Sequence, residues 1–379
     1  MRTEEINFTY CANIHPISSV DTLCDILNQT VPEIAQNSHI ENFKLGLWLP
    51  AHALKEALQT SSIERIKQLL QTHNFEVITF NAFPMNTFHG ESVKTKVYNP
   101  DWSTIERLNY TQEVAKLAHL LGNKKTVIST LSGGFKENDN DEKIEQYIKH
   151  WLEWVRFAKD YEDDFGFLAQ CALEPEPFNT LEDDEDIVQL WKKIEAKCKG
   201  TGLSMEDVNR YLGICLDTCH FSVRFISPLK AFERLRSENI PVFKTQLSIS
   251  PRYLNNMQNM HRDDFFLLNE PVYLHQTYAK NSDNEIHSFL DLDVARQSQL
   301  QAEEWRTHFH IPIFLSENQN TTGQDLIDFV KGIQAYPNLP ILEIETYSFA
   351  ALKRLYQVDL DINQSITKEL LWLTQYLKS

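Results

Sequence analysis

Carboxylates and imidazoles recur in this sequence at the ends of short apolar runs, where they could converge on a divalent cation. Glu174 and Glu176 close Ala-Leu-Glu-Pro-Glu-Pro, Asp217 and His220 close Cys-Leu-Asp-Thr-Cys-His, and Glu343 and Glu345 close Leu-Glu-Ile-Glu-Thr. Gln246 stands in Lys-Thr-Gln-Leu-Ser, and His308 with His310 in Thr-His-Phe-His-Ile. Oxygen and imidazole ligands suit Zn, Mn or Fe, and Mg is also accommodated. Asp217 and His220 would point apart in a continuing strand, so they meet only if the chain turns directly after Asp217. His308 and His310, two residues apart, share one face of a strand. His15, Asn81 and His89 are expected to line a pocket rather than bind metal, and Trp48 is either a stacking wall or core. Cys219 lies beside the proposed metal without a base to activate it.

Such residues can act together only if strand ends meet. The chain alternates short β-type runs with longer helical stretches, the pattern of a parallel sheet with crossover helices. Eight strands are predicted, over residues 6–15, 43–50, 75–83, 125–131, 167–174, 212–217, 242–248 and 341–346. Several are apolar nearly throughout, as strands covered on both faces must be. Helix signals fill the gaps: a Ser103–Glu106 capping box, Ser227-Pro228 before an apolar stripe, Thr322 before another, and an acidic helix start at Glu182–Asp186. The expectation is an α/β chain folded as a (β/α)8 TIM barrel, a single domain over 1–379 with an insertion at about 250–339 between strands seven and eight. The insertion carries β-like runs at 272–279, 286–292 and 305–315. An open doubly wound sheet is the alternative, but no Gly-rich phosphate loop follows the first strand. In a barrel the residues above fall at the C-terminal mouth, where such folds do their chemistry.

Composition narrows the partners. A formal net charge of −17 opposes the approach of nucleic acid and of anionic membrane surfaces, leaving small-molecule metabolites and metal cations. The six cysteines show no CxxC pair and read as reduced, buried thiols. No apolar run is long enough to span a bilayer, and a cytoplasmic location is expected.

Leu-Asp217-Thr-Cys-His220, a strand ending Leu-Glu174 and a late Glu345-Thr together resemble the xylose-isomerase-like superfamily, which includes sugar isomerases, epimerases and metal-dependent apurinic endonucleases. The resemblance implies Glu174, Asp217, His220 and Glu345 as metal ligands. It also implies Gln246 in place of the usual strand-seven ligand, and His308 with His310 as a pair like that of the endonuclease branch. The fourth strand ends Val-Ile-Ser129-Thr-Leu-Ser132 without a histidine, which with the acidic charge argues against DNA repair. A wider set is similar to the EboE-type metabolite-traffic proteins: Tyr10-Cys-Ala-Asn-Ile-His15-Pro, Phe88-His-Gly, Tyr98-Asn-Pro-Asp-Trp102, Glu270-Pro-Val-Tyr-Leu-His275-Gln and Trp305-Arg-Thr-His-Phe-His310. That resemblance implies a precursor-export pathway and partner proteins of the same pathway. The function expected is a metal-dependent isomerase or epimerase of a small sugar, polyol or carbonyl metabolite, with Glu174 and Glu345 exchanging the proton as base and acid. The alternatives are a non-catalytic metabolite-handling protein and a metal-dependent hydrolase.

Overall fold

A computed structural model describes residues 6–86, 94–255, 260–268, 272–348 and 355–378. Eight parallel strands form one sheet: β1 (Phe8–Tyr10), β2 (Lys44–Trp48), β3 (Glu76–Asn81), β4 (Lys125–Leu131), β5 (Leu168–Glu174), β6 (Leu212–Asp217), β7 (Val242–Leu247) and, far along the chain, β12 (Ile341–Ile344). Their spatial order is β1-β12-β7-β6-β5-β4-β3-β2. A parallel bridge between Cys11 and Gly46 brings β1 back to β2, so the sheet curls into a nearly closed barrel rather than an open doubly wound sheet. Helices pack around it, as the apolar strands require on their outer face.

All eight expected strands are present, but β1 is much shorter than the expected run over 6–15. A 3-10 turn at Ala12–Ile14 stops it after Tyr10. That turn carries His15 out of the mouth and leaves Asn13 in it. The helix signals fare similarly. Ser227 caps Pro228–Ser237 and Asp183 caps Asp184–Cys198, each accepting a backbone N–H with its side chain. The Ser103–Glu106 capping box does not form, because Asp101 accepts from both the Ser103 amide and hydroxyl, and the helix Ile105–Leu120 starts after Thr104.

Between β7 and β12 the insertion folds as a four-stranded antiparallel sheet of β8 (Arg252–Leu254), β9 (Thr277–Lys280), β10 (Ile286–Phe289) and β11 (Glu304–Thr307), in the order β10-β9-β11-β8. It shares the barrel's core: Tyr253, Phe265, Trp305 and Ile311 belong to the same buried cluster as Leu216, Leu247 and Ile344. All three runs expected in the insertion form shorter strands. β11 ends at Thr307, so His308 and His310 lie on an extended segment beyond it, held by the His308 amide on the Gln276 carbonyl and the Ile311 amide on the Ile249 carbonyl.

Inside the barrel, below the mouth, Lys244 on β7 pairs with Glu343 on β12 at 2.5 Å, both side chains wholly buried. Burial works against the lysine's charge, yet Glu343 holds it protonated above its ordinary range. Gly46 on β2 makes room for this pair, since a Cβ there would collide with Glu343 Oε1 and press on the Tyr10 carbonyl. No helix among the described residues is long and apolar enough to cross a membrane.

Candidate functional site

The strand ends deliver their polar residues to one cavity. Asn81 is the last residue of β3, Glu174 of β5 and Asp217 of β6, while Glu345 follows β12 by one residue. The cavity is lined by Asn13, Asn81, Glu174, Glu176, His220, His308, His310 and Glu345, and walled by Phe83, Tyr98, Tyr273 and Tyr347 with Lys94 at one side. Its open space, mouth included, is about 550 Å³.

The turn that Asp217 needed is present. The residue caps the helix Thr218–Val223, its Oδ1 accepting from the Cys219 amide at 2.6 Å and the His220 amide at 3.1 Å. That cap swings His220 back over Asp217. His308 and His310 arrive from the insertion and complete a cluster of three buried imidazoles: His308 Nε2 lies 2.8 Å from His310 Nε2, which lies 3.3 Å from His220 Nε2. Each ring's other nitrogen faces an oxygen. His220 Nδ1 donates to the Pro175 carbonyl at 2.7 Å, His310 Nδ1 to the Glu345 carbonyl at 3.1 Å, and His308 Nδ1 to Gln276 Oε1 at 2.6 Å. A carbonyl only accepts, so Nδ1 carries the proton and Nε2 the lone pair in each ring. Three lone pairs then face one another, an arrangement that is repulsive unless a cation lies between them.

The carboxylates fit the same reading. Asp217, His220 and His310 form one group with ligand atoms close enough to share an ion, and Glu176, His220 and His308 form another. Cys219 lies within similar reach of His308 and His310. Glu174 Oε2 and Glu176 Oε2 are buried without a hydrogen-bond partner among the described residues, and buried oxygens left so are costly unless something binds them. Burial, then Glu345 and Asp217, push the Glu174 carboxyl well up; burial, then Asp217 and Glu343, do the same to Glu345. Burial also holds His308 well below its ordinary range and His310 down at about 4, which keeps both rings neutral and free to ligate. A set of imidazoles with carboxylates suits Zn, Fe or Mn better than Mg.

Not every expected residue reaches the cavity. His15, carried past the turn at Ala12–Ile14, accepts or donates at the Tyr10 hydroxyl instead, 3.0 Å away. Trp48 is buried core, its indole N–H on the Pro84 carbonyl at 2.8 Å. Gln246 points down the barrel, with its Oε1 3.2 Å from Cys215 Sγ. One step further on, Ser248 takes the place beside Asp217, its hydroxyl 3.1 Å from Oδ1. His89 lies outside the described residues. Glu176, two residues after Glu174 in the same motif, also lines the cavity. Conversely, two contributors were not expected. Asn13 donates to Glu345 Oε1 at 2.6 Å, joined there by Asn81 at 3.0 Å. Gln276 has no signal in the sequence beyond its place after His275.

The profile of the xylose isomerase-like TIM barrel family matches residues 43–250, more than half of the chain. The chain belongs to this family. The matched residues include Glu174, Asp217 and His220 and stop where the insertion begins, so His308, His310 and Glu345 lie beyond them. No curated protein matches the sequence. This TIM barrel is similar in structure to a probable 3-DHS dehydratase, AsbF, involved in petrobactin synthesis in Bacillus anthracis (TM-score 0.52, 11% identity, 97% of this chain and 99% of that one). It is similar also to an IOLI protein with a zinc atom (TM-score 0.54, 12% identity, 98% of each chain) and to an L-ribulose 3-epimerase (TM-score 0.52, 11% identity, 98% and 95%). At these identities the likeness shows the fold.

Proposed function

We propose that this TIM barrel is a divalent-metal-dependent isomerase or epimerase of a small sugar, polyol or related carbonyl metabolite. The observation that carries the reading is the set of three inward lone pairs on His220, His308 and His310, beside the unpartnered oxygens of Glu174 and Glu176. His220, His308 and His310 would hold the ion, with Asp217 and Glu176 as its nearest carboxylates. When bound, a divalent cation polarises substrate hydroxyl and carbonyl oxygens and favours loss of the adjacent C–H proton.

The chain's own groups supply the proton transfer. Glu345 Oε1 accepts from Asn13 and Asn81, bonds that favour its ionised form and aim the carboxylate into the cavity as base. Glu174, with no hydrogen-bond partner on Oε2 among the described residues and repelled by Glu345, holds the proton that the pair cannot both release and acts as acid. Phe83, Tyr273 and Tyr347 wall the cavity, and Tyr347 stacks on the His310 ring at 4.7 Å. Structures of this fold include a zinc-containing IOLI protein and an L-ribulose 3-epimerase, which supports the substrate class.

The setting we propose is cytoplasmic, within a metabolite-traffic pathway of the EboE type and beside partner proteins of that pathway, with no role in nucleic-acid binding. The six free, buried thiols support the cytoplasmic setting, and the acidic charge supports the absence of nucleic-acid binding. The test is to incubate the zinc- or manganese-loaded chain with ketoses, aldoses and cyclic polyols in deuterated water and follow C–H signals by NMR. Exchange at one carbon of at least one compound is expected. Tight binding without exchange would make the chain a metabolite-handling protein instead.

A further inference from the structure

Gln276, contributed by the insertion just before β9, touches four groups around the imidazole cluster. Its Nε2 lies 3.2 Å from the Pro177 carbonyl, 3.2 Å from Glu176 Oε1 and 3.0 Å from the Tyr98 hydroxyl. Its Oε1 lies 2.6 Å from His308 Nδ1. The amide is wholly buried, as are Tyr98 and His308 nearly so.

These contacts permit one assignment of the amide. The Pro177 carbonyl has no hydrogen to give, so the Gln276 atom facing it is the nitrogen. The oxygen is then turned to His308, and an oxygen without a hydrogen requires the proton on Nδ1. His308 therefore presents its lone pair at Nε2, toward His310 and His220. Glu176 is held by the same side chain: its Oε1 accepts from Gln276 Nε2 and, at 3.1 Å, from the Tyr98 hydroxyl. That leaves Oε2, buried and without a hydrogen-bond partner among the described residues, as the oxygen free to take a cation. One amide thus settles which atom of two prospective ligands, from different parts of the chain, is offered.

We infer that Gln276 is a positioning residue: it fixes the His308 tautomer and the Glu176 orientation so that both serve the same cation. The inference rests on the metal-centre reading above. It also assigns the insertion a part beyond supplying His308 and His310, since Gln276 ties it to the barrel loop after β5 through Glu176 and Pro177.

The test compares zinc affinity, by competition with a chromophoric chelator, in the native chain and in Gln276→Met, which keeps volume and loses both hydrogen-bonding ends. The cobalt(II)-substituted proteins are compared by visible absorption. A loss of zinc affinity of about 10- to 100-fold is expected, the usual consequence of removing a partner behind a ligating histidine, together with an altered cobalt spectrum. Affinity within threefold of native and an unchanged cobalt spectrum would overturn the inference while leaving the metal-centre reading intact. No zinc bound by the native chain would overturn both. The native protein provides a check that needs no variant: with 15N-labelled histidine and zinc bound, His308 should show a hydrogen-bonded Nδ1–H and a metal-shifted Nε2. Coordination through Nδ1 would overturn the inference.

Discussion

Glu174 and Glu345 share a cavity, yet their surroundings set them apart. Asn13 and Asn81 donate to Glu345, whereas Oε2 of Glu174 has no hydrogen-bond partner among the described residues. Neither belongs to the imidazole–carboxylate groups found close enough to share an ion among the described residues, so their removal should spare the metal. Glu174→Gln is expected to lower proton exchange about 10²- to 10⁴-fold, the range of general acid–base catalysis, with metal content unchanged by elemental analysis. Loss of the metal from this variant would instead make Glu174 a ligand first. His15→Ala is expected to leave exchange within a few-fold of native, because the ring lies on Tyr10 rather than in the cavity. Much of this was legible residue by residue. The spacing of Asp217 and His220 required a turn, and Asp217 makes that turn by capping the helix that follows. Gln246 was misjudged because position along a strand does not say which strand residue is the last to face the mouth. That is set by the stagger of neighbouring strands, and here Ser248 is the residue beside Asp217.

At the scale of elements, the barrel interior carries a charge pair whose cost and support can be measured. Lys244 and Glu343 face each other wholly buried, and leaving either charge alone there is expensive. Glu343→Gln should lower unfolding free energy by about 3–5 kcal/mol, read as a fall in urea midpoint without a change of slope. Lys244→Met combined with Glu343→Leu should recover most of that loss, and failure to recover would mean that the two residues act separately. The C-terminal helix Ile362–Lys378 carries a different case. Glu369 on it accepts from Thr346 Oγ1 at 2.7 Å and the Ile313 amide at 3.0 Å, yet burial pushes its carboxyl up to about 8. The folded chain therefore keeps a proton that the unfolded chain releases above about pH 4.5, and stability falls as pH rises from there to about 8. The slope from this one group is at most about 1.4 kcal/mol per pH unit. Glu369→Gln preserves an accepting oxygen for both partners, so it should raise the melting temperature at pH 7.5 and flatten its dependence on pH. An unchanged pH dependence would show that Glu369 ionises normally.

The strands were the most legible elements, because two-sided burial writes itself as apolar runs such as Lys125–Leu131 and Leu212–Asp217. Their ends were less so. β1 stops at Tyr10 through a turn whose residues, Ala12–Ile14, look as strand-like as those before it.

Considered as a whole molecule, the site is assembled from two sources. The barrel supplies Glu174 and Asp217 at strand ends, His220 on the helix after β6 and Glu345 just past β12, residues recognisable in the sequence because each follows an apolar run. The insertion supplies His308, His310 and Gln276, and the matched family region ends at residue 250, before any of these. Their meeting with His220 depends on how the second sheet lies over the barrel, a long-range arrangement that neither periodicity nor spacing records. A cation held from both sources should also stabilise the folded chain by mass action, about 2.7 kcal/mol at a free concentration one hundred times Kd, so chelation should lower the melting temperature. The most direct measurement is elemental analysis of the chain purified without added metal, beside His308→Ala, His310→Ala and Gln246→Met. About one zinc, iron or manganese ion per chain is expected in the native protein and in Gln246→Met, with loss from both histidine variants. Metal retained in full by His308→Ala and His310→Ala, or none in the native chain even after reconstitution, would contradict the account.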